Sequence, residues 1–185
     1  LTCHPKVARI SFTGGPNAAK HVLYNSAENF AEVSLELGGK SPFIVFEDAN
    51  IESAVNGSIA GIFGATGQSC VAGSRVYLQE DIADEFLERI VGLSKEIRMG
   101  DPLLEDTQMG PLCTQGQMEA VEREVARAIE EGGTVLNGGK RPQGLSGNYY
   151  EPTIIECPRQ DMHIVDTEMF GPVLSVLRFK TEEEV

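Results

Sequence analysis

Phe43-Ile44-Val45-Phe46 is followed, after a polar break, by Ile51-Glu52-Ser53-Ala54-Val55-Asn56-Gly57-Ser58-Ile59-Ala60-Gly61-Ile62-Phe63. The first run is continuously apolar and of strand length, as a strand covered on both faces should be. The second repeats apolar side chains at Ile51, Ala54, Val55, Ile59, Ile62 and Phe63, which is helical spacing, with Asp48 or Asn50 as its cap. A buried strand feeding an amphipathic helix is the building unit of a parallel α/β sheet.

The same alternation extends in both directions. Upstream, Arg9-Ile10-Ser11-Phe12 reads as a strand, then Thr13-Gly14-Gly15-Pro16 turns into a helix whose apolar side is Ala18, Ala19, Val22 and Leu23. Proline suits the first helical position. Val33-Ser34-Leu35-Glu36 is the next strand, which puts Glu36 at a strand's C-terminal end, the edge where open α/β sheets bind ligands. Downstream, Val76 to Gln79 is a strand, and Asp81 caps a helix carrying Ile82, Phe86, Ile90 and Ile97, closed by Gly100-Asp101-Pro102. Thr114 and Gln117 have the spacing of a capping box. Met118, Val121, Val125, Ala128 and Ile129 continue that helix until Gly132-Gly133 stops it. Thr134-Val135-Leu136, Thr153-Ile154-Ile155 and Val173 to Phe179 complete the strands, with Asn137 to Asn148 an exposed loop. The expected fold class is α/β, a mostly parallel sheet flanked by helices.

Between the helix ending at Phe63 and the strand at Val76 lies Gly64-Ala65-Thr66-Gly67-Gln68-Ser69-Cys70-Val71-Ala72-Gly73-Ser74-Arg75, one cysteine in a glycine-rich loop. Glu36 stands before the Gly38-Gly39 pair. A thiol and a carboxylate, each beside glycines that allow close backbone approach, suit a nucleophile and its base. Taken alone, each has a plainer reading, a small buried hydrophobe and a surface acid before a turn.

The wording of these stretches resembles the aldehyde dehydrogenase family. Leu35-Glu36-Leu37-Gly38-Gly39-Lys40 is similar to that family's general-base signature. Gly67-Gln68-Ser69-Cys70 with Ala72-Gly73-Ser74-Arg75 is similar to its nucleophile signature. Glu168-Met169-Phe170-Gly171-Pro172-Val173 is similar to its segment contacting the nicotinamide ribose. The resemblance implies oxidation of an aldehyde to a carboxylic acid with NAD or NADP as cofactor. In that scheme Cys70 forms a thiohemiacetal and then a thioester, and Glu36, expected to be partly buried beside Leu35 and Leu37, activates the hydrolytic water. Glu168 and Phe170 would meet the nicotinamide end, and Leu37 would also line the cofactor. Gly14 and Gly15, in a strand-to-helix turn, would face a cofactor phosphate. The family usually has serine where this chain has Gly15, and glycine where it has Ala19. Its second oxyanion donor is an asparagine in a Pro-Trp-Asn stretch; this chain has no tryptophan. The resemblance further implies that residues 1–37 end a Rossmann-like dinucleotide-binding domain and that 38–185 belong to the catalytic domain, with Gly38-Gly39 a hinge.

Composition narrows the remaining classes. A net charge of −13 over 185 residues disfavours nucleic acid and anionic lipid as partners. Four cysteines without a C-x-x-C pair and three scattered histidines suggest neither a disulfide scaffold nor a metal site. No apolar run reaches the roughly 20 residues of a membrane span, so cytoplasm is the expected location. The chain opens on Leu1, and Thr181-Glu182-Glu183-Glu184-Val185 carries a helix-start pattern with no helix after it. Both ends are expected to be cut from a longer protein, which by resemblance would be a homodimer or homotetramer. Two alternatives stand beside oxidation: a cofactor-independent thiol hydrolase or acyltransferase, and a catalytically silent fragment.

Overall fold

Strand β1 (Arg9–Thr13), helix α1 (Pro16–Ser26) and strand β2 (Glu32–Glu36) come first in the computed structural model, which describes residues 1–185. The chain divides into two compact units, Leu1–Gly39 and Lys40–Val185. In the first, β1 and β2 pair in parallel, from Arg9 opposite Glu32 to Thr13 opposite Glu36. Gly15 is the extended N-cap residue and Pro16 begins the helix, as the sequence predicts. Ala19 and Val22 are buried, while Leu23 remains 47% exposed. Asn29 ties the start of the unit down by donating to the carbonyls of Thr2, His4 and Val7.

The second unit runs β3 (Pro42–Val45), α2 (Ile51–Phe63), β4 (Arg75–Gln79), α3 (Glu80–Lys95), α4 (Gln115–Glu130), β5 (Thr134–Asn137), β6 (Thr153–Glu156), α5 (His163–Asp166) and β7 (Val173–Phe179). Its sheet has the order β3-β4-β7-β6-β5. Every neighbouring pair is parallel except β5 with β6. The expected α/β class and mostly parallel sheet are therefore what the chain adopts.

Alternation along the central strands creates two cores, because successive strand side chains point to opposite faces. Val76 and Leu78 of β4, Ile154 of β6, and Leu174 and Val176 of β7 pack with α2 and α3. Ile155, Val173 and Leu177 pack with Met118, Val121 and Val125 of α4 and with Val165 of α5. Edge strand β3 departs from the expectation of cover on both faces. Val45 is buried and Phe43 packs on the first core, but Ile44 is 44% exposed.

Several boundaries differ from the sequence reading for local reasons. Asn50, rather than Asp48, caps α2, its side-chain oxygen accepting the Ser53 N–H at 2.9 Å. Asp81 does not cap α3: the helix begins at Glu80, and Asp81 lies in its first turn, where an acid favours the positive end of the helix dipole. The same helix ends at Lys95, before Gly100, so Ile97 packs on the core from beyond it. Asn50→Ala removes the α2 cap and is expected to lower stability by about 1 kcal/mol, measured as a denaturant midpoint shift at constant m-value.

Candidate functional site

The cysteine loop is held in an unusual backbone conformation. Helix α2 ends at Phe63, and then Ala65, Thr66 and Gly67 take φ values of 50°, 58° and 69°. Left-handed conformation costs a non-glycine L-residue roughly 1–2 kcal/mol, so two in succession persist only where the surroundings enforce them. Thr66 is buried, and its hydroxyl donates to Gly110 O at 3.2 Å. Gly67 lies directly on the backbone of Gly171, where any Cβ would collide with Gly171 O. The Gln68 side-chain oxygen accepts the Cys113 N–H at 2.9 Å. Past the cysteine, Ala72 N–H donates to Ser69 O and Gly73 N–H to Gly61 O, folding the chain back on α2 before it enters β4. Cys70 itself is exposed at the turn, with a free thiol.

The braced loop meets the third motif within the same unit. Phe170 also has a left-handed backbone, with φ 49°, and the residue is 40% exposed. Gly171 then turns the chain, Val173 N–H donating to Gly171 O at 2.8 Å, and β7 begins. Glu168 is half-buried just before this turn. The nucleophile motif and the Glu168–Val173 motif are thus joined through the Gly67–Gly171 backbone contact.

Lys40, the last residue of the first motif, occupies a costly position. Its Nζ is buried without a hydrogen-bond partner. Burial, reinforced by the Arg75 charge, pulls its pKa from 10.5 down to about 8, against the opposing influence of Cys157 and Glu168. Burial likewise pushes the Cys157 thiol up to about 11. The signs are opposite for stability. As pH rises from about 8 towards 10.5, the unfolded chain keeps a proton at Lys40 that the folded chain has released, so this lysine's contribution to stability increases. Cys157 acts the other way between 9 and about 11. Lys40→Met should raise stability at neutral pH by removing a buried charge that has no hydrogen-bond partner, and should abolish the alkaline gain. Denaturant titrations of both proteins across that range check this; a variant less stable at neutral pH would contradict it.

In the first unit, Glu36 closes β2 and is exposed, and Leu37 is 37% exposed. The partial burial expected for this carboxylate is not present. The Glu36 carbonyl accepts the Gly14 N–H at 3.1 Å, so the glycine turn and the end of β2 are joined. The Gly14 N–H is thus already paired within the unit, and the Phe12 ring fills the space where a Gly14 Cβ would stand. Gly15 is exposed, with nothing within 4 Å of where a Cβ would stand. This open cap precedes a helix N-terminus whose first amides lack intrahelical partners, an arrangement that fits an anionic phosphate. The Glu168–Phe170 turn carries a carboxylate two residues before an exposed aromatic, a pair of groups that fits a ribose and a flat heterocycle. No group of three or more histidine, cysteine or acidic side chains is arranged to hold a metal.

The family model for the aldehyde dehydrogenase family matches residues 1–185. The chain belongs to the aldehyde dehydrogenase family. It is 55% identical over 185 residues to (Z)-2-((N-methylformamido)methylene)-5-hydroxybutyrolactone dehydrogenase of Acinetobacter baylyi, covering all of this chain and 38% of that protein. It is 47% identical over 191 residues to 4-trimethylaminobutyraldehyde dehydrogenase of Oryzias latipes, again covering all of this chain and 38% of the relative. Among solved structures, betaine aldehyde dehydrogenase from Staphylococcus aureus in complex with NAD+ superposes with a TM-score of 0.94 at 40% identity, over 99% of this chain and 37% of that one. This aldehyde dehydrogenase chain therefore spans little more than a third of the length of the relatives it matches. No helix in it is long and apolar enough to cross a membrane.

Sequence reasoning missed Gln117, which it treats as half of a capping box. Thr114 does cap α4, its hydroxyl accepting the Gln117 N–H at 3.1 Å. The Gln117 carboxamide, however, turns away from the helix start and donates to Met169 O and Phe170 O. No signal in the local pattern could have revealed a partner 52 residues away.

Proposed function

We propose that the protein containing this chain oxidises an aldehyde to a carboxylic acid with reduction of NAD or NADP, using Cys70 as nucleophile and Glu36 as general base. The observation that carries this reading is the strained Cys70 loop, which carries an exposed free thiol and whose Gly67 lies against Gly171 of the third motif. Strain held by buried contacts at a reactive group is a recurrent feature of active sites.

Cys70 attacks the aldehyde carbon as thiolate; the carbon–sulfur bond forms and the carbonyl oxygen becomes an oxyanion, which the Cys70 backbone N–H can receive. When bound, the nicotinamide supplies the acceptor for the hydride that leaves this carbon. Glu168 would hold the ribose hydroxyls by accepting their hydrogen bonds, with Phe170 beside them, and Gly14, Gly15 and Leu37 are proposed as further cofactor contacts. Glu36 then takes a proton from water as that water attacks the thioester carbonyl, and the carbon–sulfur bond breaks to release the acid and the Cys70 thiolate. The relatives named for trimethylaminobutyraldehyde and betaine aldehyde favour a small aldehyde with a cationic nitrogen as substrate. A cytoplasmic homodimer or homotetramer is the accompanying assembly proposal.

The test is to mix the full-length protein with aminoaldehydes, betaine aldehyde and simple alkyl aldehydes, each with NAD or NADP, and to follow reduced nicotinamide. Turnover with at least one pair is expected. Release of acid from esters with no nicotinamide present, and none from aldehydes with it, would instead establish a thiol hydrolase.

A further inference from the structure

Helix α4 begins at a junction between two parts of the site. Cys113, just before its cap, donates its N–H to the Gln68 side chain in the cysteine loop. One turn later, Gln117 Nε2 donates to Met169 O at 2.6 Å and to Phe170 O at 3.1 Å. A glutamine at this place in a capping box would ordinarily reach back to the N–H of the capping residue. Its side chain instead spans from helix to loop, and sites where a local rule gives way to a long-range contact are often functional.

The two carbonyls it holds belong to a segment that would not keep its shape unaided. Phe170 has φ 49°, a conformation that a side-chain-bearing residue rarely adopts. Behind it, Gly171 is wedged between Gly67 and α4, where a Cβ would stand 2.6 Å from Val121 Cγ2. The turn is therefore gripped by the Gly67 backbone on one side and by the Gln117 carboxamide on the other. We propose that Gln117 is a positioning residue for the nicotinamide-ribose end of the site, its carboxamide fixing the Met169–Phe170 backbone so that Glu168 and Phe170 meet the cofactor in one arrangement. The inference rests on the reading of Glu168 and Phe170 as cofactor contacts. Preorganisation of this kind lowers the ordering cost of binding.

The experiment compares Gln117→Met, Glu168→Gln and the double variant in the full-length protein. NAD or NADP dissociation constants come from calorimetry, with thermal midpoints of the cofactor-free proteins and aldehyde turnover at saturating cofactor measured beside them. Methionine keeps the length and helix propensity but cannot donate. Gln117→Met, which loses both hydrogen bonds to the turn, is expected to weaken cofactor binding about tenfold through the added cost of ordering that turn. Its thermal midpoint should stay near that of the parent, its saturated turnover should fall no further than that of Glu168→Gln, and the double variant should bind little worse than Glu168→Gln alone. Unchanged cofactor affinity in Gln117→Met, with weakened binding in Glu168→Gln, would overturn the positioning role and leave the Glu168 reading intact. Unchanged affinity in both would overturn both. Additive losses in the double variant would show that Gln117 acts independently of Glu168 and would also overturn the proposal. Should Gln117→Met fail to fold, Gln117→Glu keeps the shape while its carboxylate faces two carbonyls. Its cofactor binding should be weak at neutral pH and recover as the carboxyl is protonated on acidification; equal affinity at both pH values would again count against the role.

Discussion

Cys70→Ala in the full-length protein is expected to reduce aldehyde-dependent nicotinamide reduction by at least about 10⁴-fold, the scale seen when a nucleophile is deleted from a covalent mechanism. The substitution removes the sulfur and little else. Cys70 is exposed and its thiol is free, so alanine leaves no cavity in either core. The left-handed turn that precedes it is fixed by Thr66, Gly67 and Gln68, none of which depends on the sulfur. Cofactor affinity should be retained, which separates loss of chemistry from loss of structure. Cys113 is the control: it is also exposed, and its N–H rather than its thiol makes the contact with Gln68. Cys113→Ala should keep nearly full activity. Turnover surviving in Cys70→Ala but lost in Cys113→Ala would move the nucleophile to the neighbouring cysteine.

The sequence was most legible where a residue's fate depends on its immediate neighbours. The apolar period of α2 and the unbroken run of β7 are such cases, and β7 is almost wholly buried along its length because it sits at the centre of the sheet. The Thr114 cap was readable for the same reason. Edge strand β3 was not, since its apolar run matches that of a strand covered on both faces, yet Ile44 lies on an open one. The short α5 has a single turn with no side-chain cap, too little for a periodic signal. The candidate site shows the same division. Cysteine in a glycine-rich loop is visible in the residue order, but the strain at Ala65 and Thr66 comes from Gly110 and Gly171, more than 40 residues away. Leu35 and Leu37 beside Glu36 suggested a sheltered carboxylate, whereas strand alternation and the end of β2 leave Glu36 exposed.

That exposure sharpens what Glu36→Gln should do. Glutamine has the same shape, and the backbone carbonyl of residue 36 accepts the Gly14 N–H whatever the side chain. The fold of the first unit should therefore be untouched, and the whole effect should fall on the chemistry. An amide cannot take a proton from water, so the thioester on Cys70 should form normally and then persist. Rapid mixing with aldehyde and cofactor should show one equivalent of reduced nicotinamide per active site, then steady turnover slower by about 10²–10⁴-fold, the usual contribution of a positioned base. Hydroxylamine, which attacks thioesters without a general base, should restore part of the lost turnover and yield the hydroxamate of the acid. The three possible traces have different meanings. Unchanged steady turnover would remove Glu36 from deacylation, and no burst at all would place its role before the thioester. A burst followed by hydroxylamine-sensitive stalling would assign it to the water step, because only a missing base leaves an intact thioester that an external nucleophile can still discharge.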